Sequence, residues 1–137
     1  MKLYNPSVIR GIKNKYGFKF SRSLGQNFLT NKEVIDGIVE GADITKEDLV
    51  IEIGPGIGVL TAAAAEKAGK VIAIEIDTNL VTILGDTLAE FDNVKVINEN
   101  VLKLNLAKII EEEARDYKAV KVIGNLPYYI TTAIIMK

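Results

Sequence analysis

Residues 51–61 read IEIGPGIGVLT, and this stretch decides the fold because it joins two different sequence patterns through three glycines. The residues that lead into it, DLVIEIG, are mostly branched and apolar, which is typical of a buried strand. The residues over 58–68 are rich in alanine and favour a helix. Glycine accepts positive φ angles and lets a ligand approach the backbone closely. The stretch therefore predicts a strand, a tight turn that a ligand could contact, and a helix.

The same alternation continues on both sides of this stretch. Three further strands are predicted in KVIAIEID, NVKVINEN and AVKVIGN, and further helices over 31–41, 78–90 and 104–115. Strands that alternate with helices indicate a parallel sheet with crossover helices. We therefore expect an α/β, Rossmann-like fold.

The last segment, TTAIIMK, is predicted to begin a helix, so the sheet would be truncated after its fourth strand. That strand would then have an unpaired edge, which proteins normally cover. We expect the chain to be a fragment of a longer protein. A domain swap, another partner or self-association through the exposed edge are the alternatives.

The composition excludes several kinds of chemistry. Hydrophobic residues make up 48% and charged residues 26% of the 137 residues, as in an ordinary globular domain. The sequence has no cysteine and no histidine, which excludes disulfides, Cys/His metal sites and Ser-His-Asp catalysis. No apolar run approaches the ~20 residues that a membrane span needs, and no secretion signal is recognisable. We expect a cytoplasmic protein that uses neither a metal nor a membrane.

Charge is distributed unevenly along the chain. Residues 1–22 contain six basic residues and no acidic residue, whereas the remainder has 11 basic and 18 acidic residues, a net charge of −7. A basic arm on an acidic body indicates contact with a polyanion such as RNA; a solvated terminus is the alternative. The residues predicted to contact RNA are Arg10, Lys13, Lys15, Lys19 and Arg22.

A nucleoside site is indicated where the first two strands end. The second strand ends with Glu75, whose carboxylate can accept hydrogen bonds from both ribose hydroxyls of a nucleoside. The glycine spacing is G-x-G-x-G, which differs from the dinucleotide pattern G-x-G-x-x-G. Glu52 just before the turn would repel phosphate and suit the positive centres of S-adenosyl-L-methionine. The predicted cofactor-binding residues here are Gly54, Gly56, Gly58, Glu75 and Ile76.

The third and fourth strands end at the same predicted edge. Asn100 could offer its side-chain oxygen to the adenine amino group, with Val101 or Leu102 against the ring; a polar turn is the alternative. After the fourth strand, Asn125 and the carbonyl of Leu126 could accept the two hydrogens of an exocyclic base amine. Pro127 would fix that carbonyl, and a flipped base could stack on Tyr128. These four residues, Asn125, Leu126, Pro127 and Tyr128, are the predicted catalytic set, and Asn125 would also contact the cofactor.

Four segments, SLGQNFLTN, IEIGPGIGVLT, AIEID and IGNLPYYITT, resemble in order and spacing those of the ribosomal RNA adenine dimethyltransferases of the small-subunit type. The resemblance implies a methyltransferase sheet followed by a small helical domain. It also implies, as activity, that two adjacent adenosines in small-subunit ribosomal RNA are each dimethylated during ribosome biogenesis. It implies that the segment with Gln26, Asn27 and Leu29 contacts the methyl donor.

This resemblance divides the chain into a basic arm over 1–22 and the N-terminal part of the methyltransferase domain over 23–137. Asn100 stands where many relatives have Asp, so we expect weaker donor binding. Because the later strands and the helical domain are absent, we expect the fragment to be inactive alone. The alternatives are a large-subunit ribosomal RNA dimethyltransferase of the antibiotic-resistance type, a non-catalytic cofactor- or RNA-binding module, and a nicotinamide enzyme.

Overall fold

The computed structural model describes residues 32–124 and the backbone of residues 134–136. The helices in this part of the chain are α1 (Lys32–Gly41), α2 (Val59–Ala65), α3 (Thr78–Thr87) and α4 (Leu106–Glu113), with 3₁₀ turns at Val101–Lys103 and Ala114–Asp116. The strands are β1 (Asp48–Ile53), β2 (Lys70–Glu75), β3 (Val94–Asn98), β4 (Ala119–Gly124) and β5 (Ile134–Met136).

The strands form one sheet in the order β3-β2-β1-β4-β5. The first four are parallel, as the alternation of strands and helices predicts, and β1 lies between β2 and β4. The register places Ile53, the last residue of β1, beside Gly124, the last residue of β4. β1 and β4 therefore end side by side, at the edge of the sheet where the glycine turn begins.

The helix predicted to begin in TTAIIMK is wrong over Ile134–Met136, which form β5. This strand pairs with β4 in the antiparallel direction, with Val122 opposite Ile134 and Val120 opposite Met136. The edge of β4 that the sequence predicted to be unpaired is therefore covered. Isoleucine, the residue type at positions 134 and 135, is common in strands, and the backbone groups at the edge of β4 provide hydrogen-bond partners for this segment.

Helices cover both faces of the sheet and create two apolar layers. Val50 faces the layer that α1, α2 and α3 build, together with Ile35 and Leu60. Leu49 faces the opposite layer, to which Ile109 of α4 contributes. Because both faces are covered, β1 is buried along nearly its whole length, which explains why successive residues Leu49, Val50 and Ile51 are all apolar.

Two helices begin at side-chain caps that the sequence supplies. Asp77 accepts hydrogen bonds from the backbone N–H groups of Asn79 and Leu80, at 2.8 and 3.4 Å, and starts α3. Asn105 starts α4 in the same way, with its oxygen 3.0 Å from the N–H of Lys108. Such caps satisfy backbone donors that have no partner within the helix.

A buried ion pair lies near the amino end of β1, away from the glycine turn. Lys121 and Asp48 are 2.7 Å apart, and each side chain is 6% exposed. Lys121 also donates to the carbonyl of Asp43, and Asp48 accepts from the N–H of Thr45. Burial opposes ionisation of Asp48, but the hydrogen bonds from Lys121 and Thr45 hold its pKa below the usual value.

We expect Lys121→Met to destabilise the chain by roughly 3–5 kcal/mol, because Asp48 would remain buried without its counter-charge. The double variant with Asp48→Asn should recover part of this loss. Urea unfolding measures both. Lys118→Met is the control, because Lys118 and Glu47 form an exposed pair and its loss should change stability by less than about 1 kcal/mol. Equal losses for the two lysines would contradict the prediction.

Candidate functional site

The carboxyl group of Glu75 lies between the glycine turn and the loop that follows β2. One oxygen accepts from the backbone N–H of Gly56 at 3.4 Å, and the other from the N–H of Asp77 at 3.1 Å. The residue is 6% exposed. Each carboxylate oxygen can accept two hydrogen bonds, so each oxygen keeps capacity for a further donor. Glu75 is thus fixed in place and can still accept hydrogen bonds from a ligand.

The backbone around Glu75 joins the end of β2 to the end of β3. The carbonyl of Glu75 accepts from the N–H of Glu99 at 3.1 Å and from the side-chain NH₂ of Asn98 at 3.0 Å. The same NH₂ group donates to the carbonyl of Ile76 at 3.2 Å. Residues 75, 76 and 98–100 are therefore close neighbours, and the predicted meeting of strand ends is observed for β1, β2 and β3.

Two of the predicted glycines have different roles in the turn. Gly54 has a φ of 70°, and a Cβ atom there would meet nothing within 4 Å in the described part of the chain. Its backbone therefore offers room for a close ligand. Gly58 has a φ of 94° and starts α2; a Cβ there would lie 3.0 Å from Leu84 and 3.2 Å from Leu88. Gly58 is thus explained by packing against α3.

Glu52 is buried beneath the turn, with 1% of its surface exposed. Its carboxyl group accepts a hydrogen bond from the hydroxyl of Thr61 on α2. Burial, with a smaller contribution from the negative charge of Glu75, raises the pKa of Glu52 to about 7 against the opposing effect of the Thr61 hydrogen bond. Glu52 therefore holds α2 at the end of β1, is shielded from solvent, and adds a negative charge beneath the turn only as the pH rises through about 7.

The residues after β3 present one polar and one apolar group. The side-chain oxygen of Asn100 accepts from the N–H of Leu102 at 3.0 Å and so caps the 3₁₀ turn. Leu102 is 90% exposed and Ile76 is 63% exposed, which is unusual for large apolar side chains. Val101 packs, partly buried, against the apolar layer on the α4 side. Of the two residues proposed for the ring face, Leu102 is the more accessible.

The remaining predicted residues lie outside the described part of the chain. They are Gln26, Asn27 and Leu29 for the cofactor, Asn125, Leu126, Pro127 and Tyr128 for catalysis, and Arg10, Lys13, Lys15, Lys19 and Arg22 for RNA. Their assignments stay predictions.

Three residues of the edge were not predicted from the sequence. Asp77 donates a backbone hydrogen bond to Glu75 and caps α3. The side-chain NH₂ group of Asn98 joins the end of β3 to the carbonyls of Glu75 and Ile76. Thr61 holds Glu52. An Asp directly before a helical pattern is a recognisable cap signal. The contacts of Asn98 and Thr61 depend on sheet register, which no local pattern reveals.

The described helices include none that is long and apolar enough to cross a membrane. Residues 32–124 also contain no cluster of three or more His, Cys, Asp or Glu side chains that could hold a metal ion. What this edge offers is a fixed carboxylate, a glycine turn with open space, and two exposed apolar side chains.

Solved structures place this fold in a known class. The structure of the "23S rRNA methyltransferase ErmE" matches 69% of this chain and 46% of its own, with a TM-score of 0.53 and 25% identity. An RNA methyltransferase from Salinibacter ruber, solved in complex with S-adenosyl-L-homocysteine, matches 69% of this chain and 75% of its own, with a TM-score of 0.53 and 23% identity. The fold is the Rossmann-like sheet of S-adenosylmethionine-dependent methyltransferases.

The chain belongs to the ribosomal RNA adenine dimethylase family, whose model matches residues 17–137. It is 56% identical over 136 residues to "Ribosomal RNA small subunit methyltransferase A" of Alkaliphilus metalliredigens (strain QYMF), a match that covers 99% of this chain and 47% of that protein. The protein of the same name from Bacillus pumilus (strain SAFR-032) is 54% identical over 132 residues, 96% of this chain and 45% of the relative. The chain thus spans about half the length of these relatives.

Glu52 should make the chain less stable as the pH rises from about 4.5 to 7. In this window the folded state keeps the Glu52 proton, because its pKa is about 7, whereas the unfolded state has lost it at the ordinary value of 4.5. Stability therefore falls by about 3 kcal/mol across the window and stays low above it. Asp48 and Glu113 have lowered pKa values, so their contributions change at lower pH.

Glu52→Gln should remove this fall, so the variant should be more stable than the wild type at pH 8. Urea unfolding at pH 5, 6, 7 and 8 measures the effect. Glu47→Gln is the matched control, because the Glu47 side chain is 67% exposed. If wild type and Glu52→Gln show the same pH dependence, the carboxyl group does not carry the buried proton.

Proposed function

We propose that this chain binds S-adenosyl-L-methionine at the edge where β1, β2 and β3 end, as part of an enzyme that dimethylates two adjacent adenosines in small-subunit ribosomal RNA. The observation that carries the cofactor assignment is the position of Glu75. Its carboxylate is held by Gly56 and Asp77 and retains capacity to accept hydrogen bonds. The ribose of the methyl donor presents two adjacent hydroxyl groups that fit this capacity.

The rest of the edge supports the same ligand. The open space at Gly54 suits the methionine part of the donor, and the exposed side chains of Ile76 and Leu102 suit the faces of a purine. Glu52, in the fraction that is ionised near its pKa of about 7, adds its negative charge to that of Glu75, and the two together favour a ligand with a positive centre and disfavour one with phosphates. A nicotinamide dinucleotide would place its pyrophosphate near this acidic pair.

The bound donor would supply an electrophilic methyl group beside the segment that follows β4. The register supports this placement, because Ile53 at the end of β1 pairs with Gly124, the last residue of β4, and Asn125 is the next residue in the sequence. Asn125 and the carbonyl of Leu126 would accept the hydrogens of the adenine amine as its nitrogen becomes tetrahedral. Pro127 would orient that carbonyl, and Tyr128 would stack on the base.

We assign substrate contact to the arm over 1–22 and donor binding to residues 23–137. The basic residues of the arm, Arg10, Lys13, Lys15, Lys19 and Arg22, would contact RNA phosphates. Gln26, Asn27 and Leu29 would contact the methyl donor. The small-subunit substrate is favoured over the large-subunit one because relatives named for the small subunit are 48–56% identical to this chain, against 25% for ErmE.

Glu75→Gln should weaken binding of S-adenosylmethionine by about 10- to 100-fold, because hydrogen bonds from the ribose hydroxyls to a charged group contribute about 1.5–3 kcal/mol each. Titration calorimetry on the chain measures the dissociation constant. An unchanged dissociation constant would refute the ribose assignment, and tighter binding of NAD than of S-adenosylmethionine would refute the cofactor assignment.

Glu99→Gln is the matched control for this experiment. Glu99 lies at the same edge and is exposed, and its contact with Glu75 runs through its backbone N–H. The substitution changes the net charge identically and should leave donor affinity unchanged within about twofold. A thermal melt of each variant separates lost binding from lost folding.

The protein that contains this chain, at its full natural length, should transfer labelled methyl groups to purified small ribosomal subunits and not to large ones. Asn125→Ala should lower turnover by about 10²- to 10³-fold, the usual cost of removing one such stabilising group, and leave donor affinity nearly unchanged. Labelling of the large subunit alone would reverse the substrate assignment. An equal loss of turnover and affinity would contradict the role of Asn125.

A further inference from the structure

The side-chain amide of Asn100 has a fixed orientation at the candidate site. Asn100 directly precedes the 3₁₀ turn Val101–Lys103 and adopts an extended backbone, with a φ of −79° and a ψ of 118°. Its side chain faces the backbone N–H of Leu102 at 3.0 Å. A backbone N–H can donate and cannot accept, so the amide atom that faces it must be the oxygen.

This contact engages one of the two lone pairs of the amide oxygen and leaves both hydrogens of the NH₂ group for a ligand. The oxygen and the NH₂ group of an amide point in different directions from the same carbon, so an oxygen held at Leu102 turns the NH₂ group away from the turn. The neighbouring Asn98 amide uses its NH₂ group on the carbonyls of Glu75 and Ile76. The NH₂ group of Asn100 has no hydrogen-bond partner among the described residues.

We propose that Asn100 meets the base of the bound nucleoside as a hydrogen-bond donor, so that this site accepts a 6-oxo purine about as well as a 6-amino purine. The inference rests on the proposed function, because it concerns the same donor site. It replaces the sequence-based expectation that the Asn100 oxygen accepts from the adenine amino group.

The group at position 6 of the purine determines which base an outward NH₂ group favours. Position 6 of adenine carries an amino group, which donates, whereas position 6 of hypoxanthine carries an oxygen, which accepts. The base is limited in its movement because its ribose would be held at Glu75, which is joined to Asn98 and Glu99. An outward NH₂ group pairs with the 6-oxo group and gains nothing from the 6-amino group, whereas an outward carboxylate oxygen would do the reverse.

Asn100→Asp isolates this effect. One carboxylate oxygen can keep the cap on Leu102, and the other replaces the NH₂ group as an acceptor. We expect the wild-type chain to bind S-adenosylhomocysteine and its deaminated analogue S-inosylhomocysteine with dissociation constants within about tenfold of each other. In the variant, the dissociation constant of S-inosylhomocysteine divided by that of S-adenosylhomocysteine should rise at least tenfold. The carboxylate gains a charge-assisted hydrogen bond from the adenine amino group and can no longer donate to the oxygen of hypoxanthine.

Asn105→Asp is the control. Asn105 caps α4 through the same contact, with its oxygen 3.0 Å from the N–H of Lys108, and it is exposed. This variant adds the same charge and retains the same kind of cap, so the ratio of dissociation constants should not change. Thermal melts of both variants report whether the caps persist.

Calorimetric titration of the wild-type chain and both variants with the two nucleosides gives distinct outcomes. A rise of tenfold or more in the ratio for Asn100→Asp alone supports the proposal. A smaller rise, or an equal rise in Asn105→Asp, overturns it while the cofactor assignment stands, since S-adenosylhomocysteine still binds. A wild-type chain that binds neither nucleoside overturns the cofactor assignment and this inference with it.

Discussion

The geometry of the candidate site depends on Glu75, because this one residue joins three strand ends. Its carboxyl group holds the glycine turn after β1 and the loop after β2, and its carbonyl holds the segment after β3. Each loop alone would be free to move, as loops without packed side chains generally are. Held together, they form an edge whose polar groups are oriented before any ligand arrives, which reduces the entropy that binding must overcome.

The buried carboxyl groups at the two ends of β1 have opposite pKa shifts. At the amino end, Asp48 has a buried lysine as its partner and several further hydrogen bonds, and its pKa is lowered. At the carboxyl end, Glu52 has a hydroxyl group as its hydrogen-bond partner, and its pKa is raised to about 7. The first arrangement compensates the cost of burial and anchors the sheet. The second leaves a charge only partly compensated, as is typical of sites where function is favoured over stability.

The sequence was sufficient to predict the elements that depend on local pattern. The four parallel strands were predicted because their residues are mostly branched and apolar, and the meeting of the first three strand ends follows from parallel topology. The short strand Ile134–Met136 was missed, because three residues carry no reliable period and its pairing depends on the free edge of β4. The burial of Glu52 was also missed, although Glu52 alternates with Val50 on a face that α2 covers. The orientation of the Asn100 amide depends on the 3₁₀ turn, which the sequence did not reveal.

The substrate that we propose does not need a strong general base at the candidate site. The chain has no histidine, and Glu52, whose pKa is about 7, is buried and bonded to Thr61, out of reach of a substrate. An aliphatic ammonium group would need to lose a proton before it could attack a methyl group, so it would need such a base. The amine of adenine is already neutral at pH 7, and its poor reactivity comes from delocalisation into the ring. Acceptors that favour a tetrahedral nitrogen compensate for this poor reactivity, and in our proposal Asn125 and the carbonyl of Leu126 would be those acceptors.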